Sequence, residues 1–237
     1  MKRGHVYIAK RVMDVTFSIV LSLLAVPAFL FIAISVKLTS RGPIFYRQRR
    51  MGMLAGSRNA PMFYVLKFRT MKTDAEAGCG AVLAGKNDNR VTRLGGFLRK
   101  TRLDELPQLI NVIRGEMSLV GPRPERPELM VALTQAVPFF EERLRFVKPG
   151  ITGLAQVNLK YDGAMSHDDK LFPLKPSLVN PYKLPDMEDS PADGMRLKLL
   201  YDMAYSASLE SFSSFLLTDL AIIFKTPYIM FVRRTGR

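Results

Sequence analysis

One uncharged run of 22 residues, 15–36 (VTFSIVLSLLAVPAFLFIAISV), limits what this chain can fold into more than any other stretch. As a continuous helix rising about 1.5 Å per residue, it covers roughly the hydrocarbon thickness of a bilayer. The run predicts a membrane segment. It exceeds an ordinary signal-peptide core, and no clear small-residue cleavage site follows it. Pro27 near its middle removes a backbone donor and clashes with the preceding turn, which favours a kink. Both flanks are basic, with Lys2, Arg3, Lys10 and Arg11 before the run and Lys37, Arg41, Arg47, Arg49 and Arg50 after it. Basic flanks favour the cytoplasmic side, so a single span must export one cluster, whereas a hairpin exports neither. A half-helix of about ten residues is about 15 Å long, enough to enter one leaflet and return. A kinked transmembrane helix is the equal alternative, because membranes tolerate proline.

The 237 residues suffice for such an anchor, at 1–43, and one catalytic domain, at 44–237. A net charge of +14 draws the chain towards phosphorylated substrates, anionic lipid or nucleic acid. The basic residues are dispersed in clusters without zinc-finger or basic-zipper spacing, so nucleic acid is not an expected partner. A single Cys79 permits no internal disulfide and suits a reducing compartment, which places the bulk on the cytoplasmic side. With His5 and His167 the only histidines, no structural zinc site is expected.

Beyond a turn at Arg41-Gly42-Pro43, strand-like segments are expected at 44–50 and 62–68, separated by a loop through Pro61. Residues 73–89 read as a loop. Within it GAVLAGKN (80–87) falls one residue short of a phosphate-cradling loop: no strand precedes it, no helix follows, and Asn87 lacks the hydroxyl that would hold magnesium. Leu94, Phe97, Leu98 and Thr101 fall at helical spacing. Leu106, Leu109, Ile110 and Ile113 repeat the stripe of a half-buried helix ending at Gly115. Asp104 sits at that helix's expected N-cap, Glu105 in its first turn and Pro107 near its start. The plain reading of the two carboxylates is therefore helix-start chemistry, stabilising by about 1 kcal/mol. Their setting suggests more. Arg99, Lys100 and Arg102 lie just before them, and Gly121-Pro122-Arg123-Pro124 follows, where two prolines would fix the direction of a planar guanidinium suited to phosphate. A solvated turn is the alternative there. Residues 161–195 form a Pro- and Asp-rich insert, compatible with a pocket wall or a disordered excursion, and its His167-Asp168-Asp169 reads as a solvated loop rather than a metal site. Phe212, Phe215, Leu216, Leu220 and Ile223 share one face of a helix within about 209–232, either interfacial or buried, that Pro227 should end.

Residues 100–125, KTRLDELPQLINVIRGEMSLVGPRPE, resemble the core of the bacterial sugar transferases, the monotopic phosphoglycosyl transferases. The likeness extends to Lys10-Arg11 and Asp14, Lys67-Phe68-Arg69-Thr70-Met71, Pro149-Gly150-Ile151-Thr152-Gly153 with Gln156-Val157, and Lys198-Leu199 with Tyr201-Asp202. It implies a helix-dominated α+β fold with a re-entrant helix-break-helix anchor at Pro27, a small cytoplasmic catalytic domain and interfacial helices. It also implies transfer of a phosphosugar from a UDP-sugar to polyprenyl (undecaprenyl) phosphate at the cytoplasmic face of the bacterial inner membrane, with UMP as co-product. On this resemblance Asp104 is the nucleophile of a covalent phosphosugar intermediate and Glu105 its partner. Mg2+ is held at the pair, Arg99 and Arg123 bind phosphate, and Lys67 is a further phosphate candidate. Two departures stand out. Val26 precedes Pro27 where the family often has Ser, and Lys148 precedes Pro149-Gly150 where Arg is usual, exchanging a planar fork for a point charge in that phosphate contact. Membrane lipid is an implied partner, and an oligomer is compatible with the sequence. The competing reading is a non-catalytic, membrane-anchored basic protein that binds anionic lipid or nucleic acid.

Overall fold

The computed structural model describes residues 3–55, 61–73, 75, 88–159, 165, 172–175, 177 and 192–232. The 80–87 loop, Cys79, His167-Asp168-Asp169, most of the 161–195 insert and the basic residues beyond 232 lie outside the described residues. Helix α1 runs over Arg3–Thr39 with Pro27 inside it. Its buried positions Val6, Lys10, Asp14 and Ser18 recur every fourth residue, and Ile32 and Val36 are buried further on. Residues 19–28 between them hold no buried side chain. The helix is long and apolar enough to cross a membrane.

Its C-terminal end is capped by a distant side chain. Buried Arg69 donates to the carbonyls of Ser40 (2.7 Å) and Arg41 (2.8 Å) and to the Ser40 hydroxyl (2.9 Å), satisfying acceptors that a helix end leaves open. Gly42 makes room for it: at φ +121° the backbone suits glycine, and a Cβ would sit 2.1 Å from Arg69 Nη1. The expected strands follow as an antiparallel hairpin, β1 (Phe45–Met51) and β2 (Met62–Phe68), with Phe45 opposite Phe68 and Met51 opposite Met62.

Helix α2 (Arg93–Thr101) is capped by the Thr92 hydroxyl, which accepts from Gly95 N. A 3-10 turn (Leu103–Glu105) separates it from α3 (Gln108–Arg114), which ends at Gly115 with φ +85°. This corrects the expected stripe. The buried face of α3 carries Gln108, Leu109, Asn111 and Val112, while Ile110 and Ile113 stay about one-third exposed. Buried Asn111 explains the rotation: its amide donates to Tyr64 O (2.8 Å) and its carbonyl accepts from Leu66 N (3.0 Å), stitching α3 to β2.

Strand β3 (Ser118–Val120) pairs in parallel with β4 (Gly150–Thr152). Helices α4 (Pro127–Ala136), α5 (Leu154–Asn158), α6 (Asp193–Ser208) and α7 (Phe212–Val232) complete the described α-helices, with further 3-10 turns at Phe140–Leu144 and Phe172–Leu174. The core gathers Val65, Val112, Met117, Val120, Val147, Tyr205, Phe215 and Ile222 from both strand pairs, α3, α6 and α7. Pro227 does not end the last helix as expected. The helix continues to Val232, and in the turn before the proline the Thr226 hydroxyl bonds back to Ile222 O at 2.7 Å, a local repair of the kind that lets apolar helices keep a proline. Gly4–Thr39 and Phe212–Met230 are thus the two described stretches long and apolar enough to cross a membrane.

Polar ties fasten α1 to this body. Lys10 Nζ pairs with Asp219 on α7 (2.7 Å), Tyr205 OH donates to the other Asp219 oxygen (2.8 Å), and Asp14 accepts from Leu119 N and Ser118 Oγ (3.0 Å each). Arg11 donates to Val112 O and Ile113 O at the C-terminal end of α3, where a cation also complements the helix dipole. Lys10, Asp14 and Asp219 are all buried. Removing one partner therefore leaves a stranded charge: Lys10→Met is expected to destabilise by about 3–5 kcal/mol, and Lys10→Met with Asp219→Leu to recover most of that loss, in thermal unfolding of the detergent-solubilised protein.

Candidate functional site

At the end of α2 the chain turns through Arg102, a non-glycine residue at φ +57°. That left-handed step tips the following 3-10 turn so that Asp104 and Glu105 both point inwards, each about 7% exposed. Neither is the N-cap of α3, which is Pro107 and has no side-chain cap. The helix-start reading of Asp104 is thereby corrected: the 3-10 turn moves the start of α3 beyond both carboxylates.

The two carboxylates differ in their surroundings. Glu105 Oε1 accepts from Lys67 Nζ on β2 and from Arg123 Nη2, both at 2.8 Å, and Arg102 Nη1 lies 3.8 Å from Oε2. Burial alone would raise its pKa, yet Arg123, Lys67 and Arg102 hold it well below the usual carboxylate range. Asp104 Oδ1 is buried and has no hydrogen-bond partner among the described residues. Burial, then the neighbouring Glu105 charge, push the Asp104 carboxyl up to about 6. Burial also lowers the Lys67 ammonium, against the pull of Glu105.

Arg123 is held by its backbone. Proline at 122 and 124 removes two donors, and the four carbonyls from 122 to 125 are each claimed by a different group. Gly150 N reaches Pro122 O (2.9 Å), Arg143 Nη2 reaches Arg123 O (2.8 Å), Arg50 Nη1 reaches Pro124 O (2.9 Å) and Met51 N reaches Glu125 O (3.1 Å). Gly121 permits the approach, since a Cβ there would meet Lys148 O at 2.3 Å. Arg143 is itself pinned by Asp202 (2.9 Å) and Glu125 (3.5 Å), and burial pushes the Asp202 carboxyl up to about 6. Arg50, Lys67, Gln108 and Arg123 line a small cleft around Glu105. Burial and then Arg123 lower the Arg50 pKa to about 10, so the cleft concentrates desolvated positive charge that an anionic ligand would relieve.

Of the residues singled out in the sequence, Asp104, Glu105, Lys67 and Arg123 are brought together. Arg99 is placed differently: its Nε donates to the Thr70 hydroxyl (2.9 Å), and Arg102 takes the position beside Glu105. Lys148 lies at the other end of α3, against Gly115 and Arg11, where burial and then Arg11 lower its pKa. Sequence reasoning missed Arg50, Gln108 and Arg143. Arg102 was legible through its adjacency to the acidic pair, but Arg50 reaches the cleft only through the register of β1 against β2.

Residues 5–233 match the bacterial sugar transferase family. A UDP-glucose:undecaprenyl-phosphate glucose-1-phosphate transferase of Xanthomonas campestris pv. campestris is 44% identical over 155 residues, 65% of this chain and 31% of that protein. A UDP-N-acetylgalactosamine-undecaprenyl-phosphate N-acetylgalactosaminephosphotransferase of Aeromonas hydrophila is 36% identical over 217 residues, 92% of this chain and 42% of that protein. A UDP-glucose:undecaprenyl-phosphate glucose-1-phosphate transferase of Klebsiella pneumoniae is 37% identical over 227 residues, 96% of this chain and 41% of that protein. The chain therefore spans less than half the length of each of these relatives. On the match across 5–233, the chain belongs to the bacterial sugar transferase family.

Proposed function

We propose that this chain transfers a phosphosugar from a UDP-sugar to polyprenyl (undecaprenyl) phosphate, releasing UMP and initiating glycoconjugate or polysaccharide synthesis. The observation that carries this reading is the unequal carboxylate pair: Glu105, which lines a cationic cleft, is neutralised by Lys67 and Arg123, while the adjacent buried Asp104 keeps an uncommitted oxygen. The relatives' names supply the donor and acceptor classes.

In this mechanism the Asp104 carboxylate attacks the sugar-bearing phosphorus. The bond to the bridging oxygen breaks, and UMP leaves with that oxygen's electron pair. A phosphate oxygen of the polyprenyl acceptor then attacks the same phosphorus, restoring free Asp104 and forming the diphosphate. Arg123, fixed by the clamped turn, and Lys67 stabilise the negative charge that develops during transfer. Glu105 holds both cations in place.

The chemistry of this site fits Mg2+. No three His, Cys, Asp or Glu side chains converge among the described residues, but the unpartnered Asp104 Oδ1 suits a cation, and magnesium commonly binds one or two carboxylates together with substrate phosphates. Asp104 and Glu105 would hold it. Bound there, the ion would screen the diphosphate from the attacking carboxylate.

The anchor, residues 1–43, is proposed to re-enter the cytoplasmic face of the inner membrane, with the catalytic domain, 44–237, on that face. Residues 6–18 of α1 reach α3, β3 and α7, while Phe29, Ile32 and Val36 pack with Phe68 and Leu98, and the stretch around Pro27 lies open. A straight helix would advance about 21 Å between Ser18 and Ile32. Two packed ends and an open middle support a re-entrant bend at Pro27, within a helix that runs from Arg3 to Thr39.

Purified protein incubated with UDP-sugars, Mg2+ and polyprenyl phosphate should release UMP, and no release across an adequate sugar panel would sink the reading. Asp104→Asn should lower turnover by at least about a thousand-fold and abolish the adduct seen by intact mass with donor alone. Activity should fall roughly tenfold per pH unit below about 6, as the nucleophile becomes protonated. Arg143→Ala should lower kcat/KM about a hundred-fold by loosening the Arg123 turn. Tags at both flanks of α1 should report the same side of the membrane in intact cells.

A further inference from the structure

The β1–β2 hairpin has two unlike faces. One turns Arg50 and Lys67 towards the cleft. The other carries Phe45, Arg47 and Arg49 on β1, opposite Phe68, Leu66 and Tyr64 on β2. At its base, Phe45 lies 5.7 Å from Phe29, ring centroid to centroid, and both rings pack on Phe68. Phe29 belongs to the apolar run of α1. This face therefore begins against the apolar run itself, and Arg69, just after β2, binds the hairpin to the end of α1.

Along the same face, Arg47 and Arg49 lie about 7 and about 13 Å beyond Phe45 at the usual strand rise. Both are exposed, and Tyr64 is 47% exposed. The Arg47 guanidinium sits 5.0 Å over the Tyr64 ring, and Arg49 Nη2 contacts Met62 Sδ at 3.0 Å. No carboxylate among the described residues pairs with either arginine. A strip that passes from aromatic rings against the apolar run to two uncompensated guanidinium groups beside a tyrosine matches the chemistry of an anionic bilayer surface. We propose that the outer face of the hairpin binds anionic phospholipid headgroups through Arg47, Arg49 and Tyr64. This contact holds the hairpin at the bilayer surface. The inference rests on α1 entering the bilayer.

The 237-residue chain contains no tryptophan, so Tyr64→Trp in this chain provides a single tryptophan on the strip. In nanodiscs, shallowly brominated phosphatidylglycerol should quench it at a lower mole fraction than phosphatidylcholine brominated at the same depth. Arg47→Gln and Arg49→Gln, each added to that reporter, should raise the phosphatidylglycerol midpoint about five-fold. Equal quenching by the two lipids, or a preference that survives both arginine substitutions, would overturn the headgroup contact even where the protein resists alkaline extraction. Release by alkaline extraction would overturn the anchor, and the inference with it.

Discussion

A single carboxylate oxygen, Glu105 Oε1, receives Lys67 from β2 and Arg123 from the turn after β3. Two cations within hydrogen-bond reach of one buried atom are tolerable only because that atom carries charge, and the charge is tolerable only because the cations are there. The hairpin, the 3-10 turn and the β3 turn are consequently tied to one another by electrostatics as well as by the apolar core. Asp104, next in the chain, has no such cations bonded to it. Its uncommitted oxygen follows from Glu105 having taken the available donors.

The backbone around Arg123 extends the same constraint outwards. Each carbonyl of the turn is claimed by a separate group, two of them on β1, and Arg143, which claims the carbonyl of Arg123, is itself buried against Asp202 and Glu125. Charge at the cleft is thus supported by charge one layer behind it, ending on α6. A side chain as flexible as arginine acquires a defined direction because its own main chain cannot move.

Much of this was legible in the sequence. The strand at 62–68, the turn at Gly42, the helix end at Gly115 and the proline-framed Arg123 each depend on neighbours in the chain, and each is found in the fold. The failures arose where tertiary contacts decide. Arg102 adopts φ +57°, which local pattern did not foretell, and this moved Asp104 out of the cap position. Asn111 turned α3 by bonding to β2, so Ile110 and Ile113 lost their expected burial. Arg50 reached the cleft through strand register, and Lys148 was carried to the far end of α3 by the β3–β4 pairing. The continuation through Pro227 accompanies a side chain-to-backbone bond in the turn before it.

The pairing of Lys10 with Asp219 joins residues 209 positions apart. At about 5–20 residues per second, ribosomes add the acidic partner roughly ten to forty seconds after the basic one. Throughout that interval Lys10 stands beside an apolar segment with Asp219 still unmade, and for about the first half of it Asp14 also lacks Ser118 and Leu119. During synthesis the first helix must therefore keep these groups in water or headgroups, and its seating against the body waits for the last one.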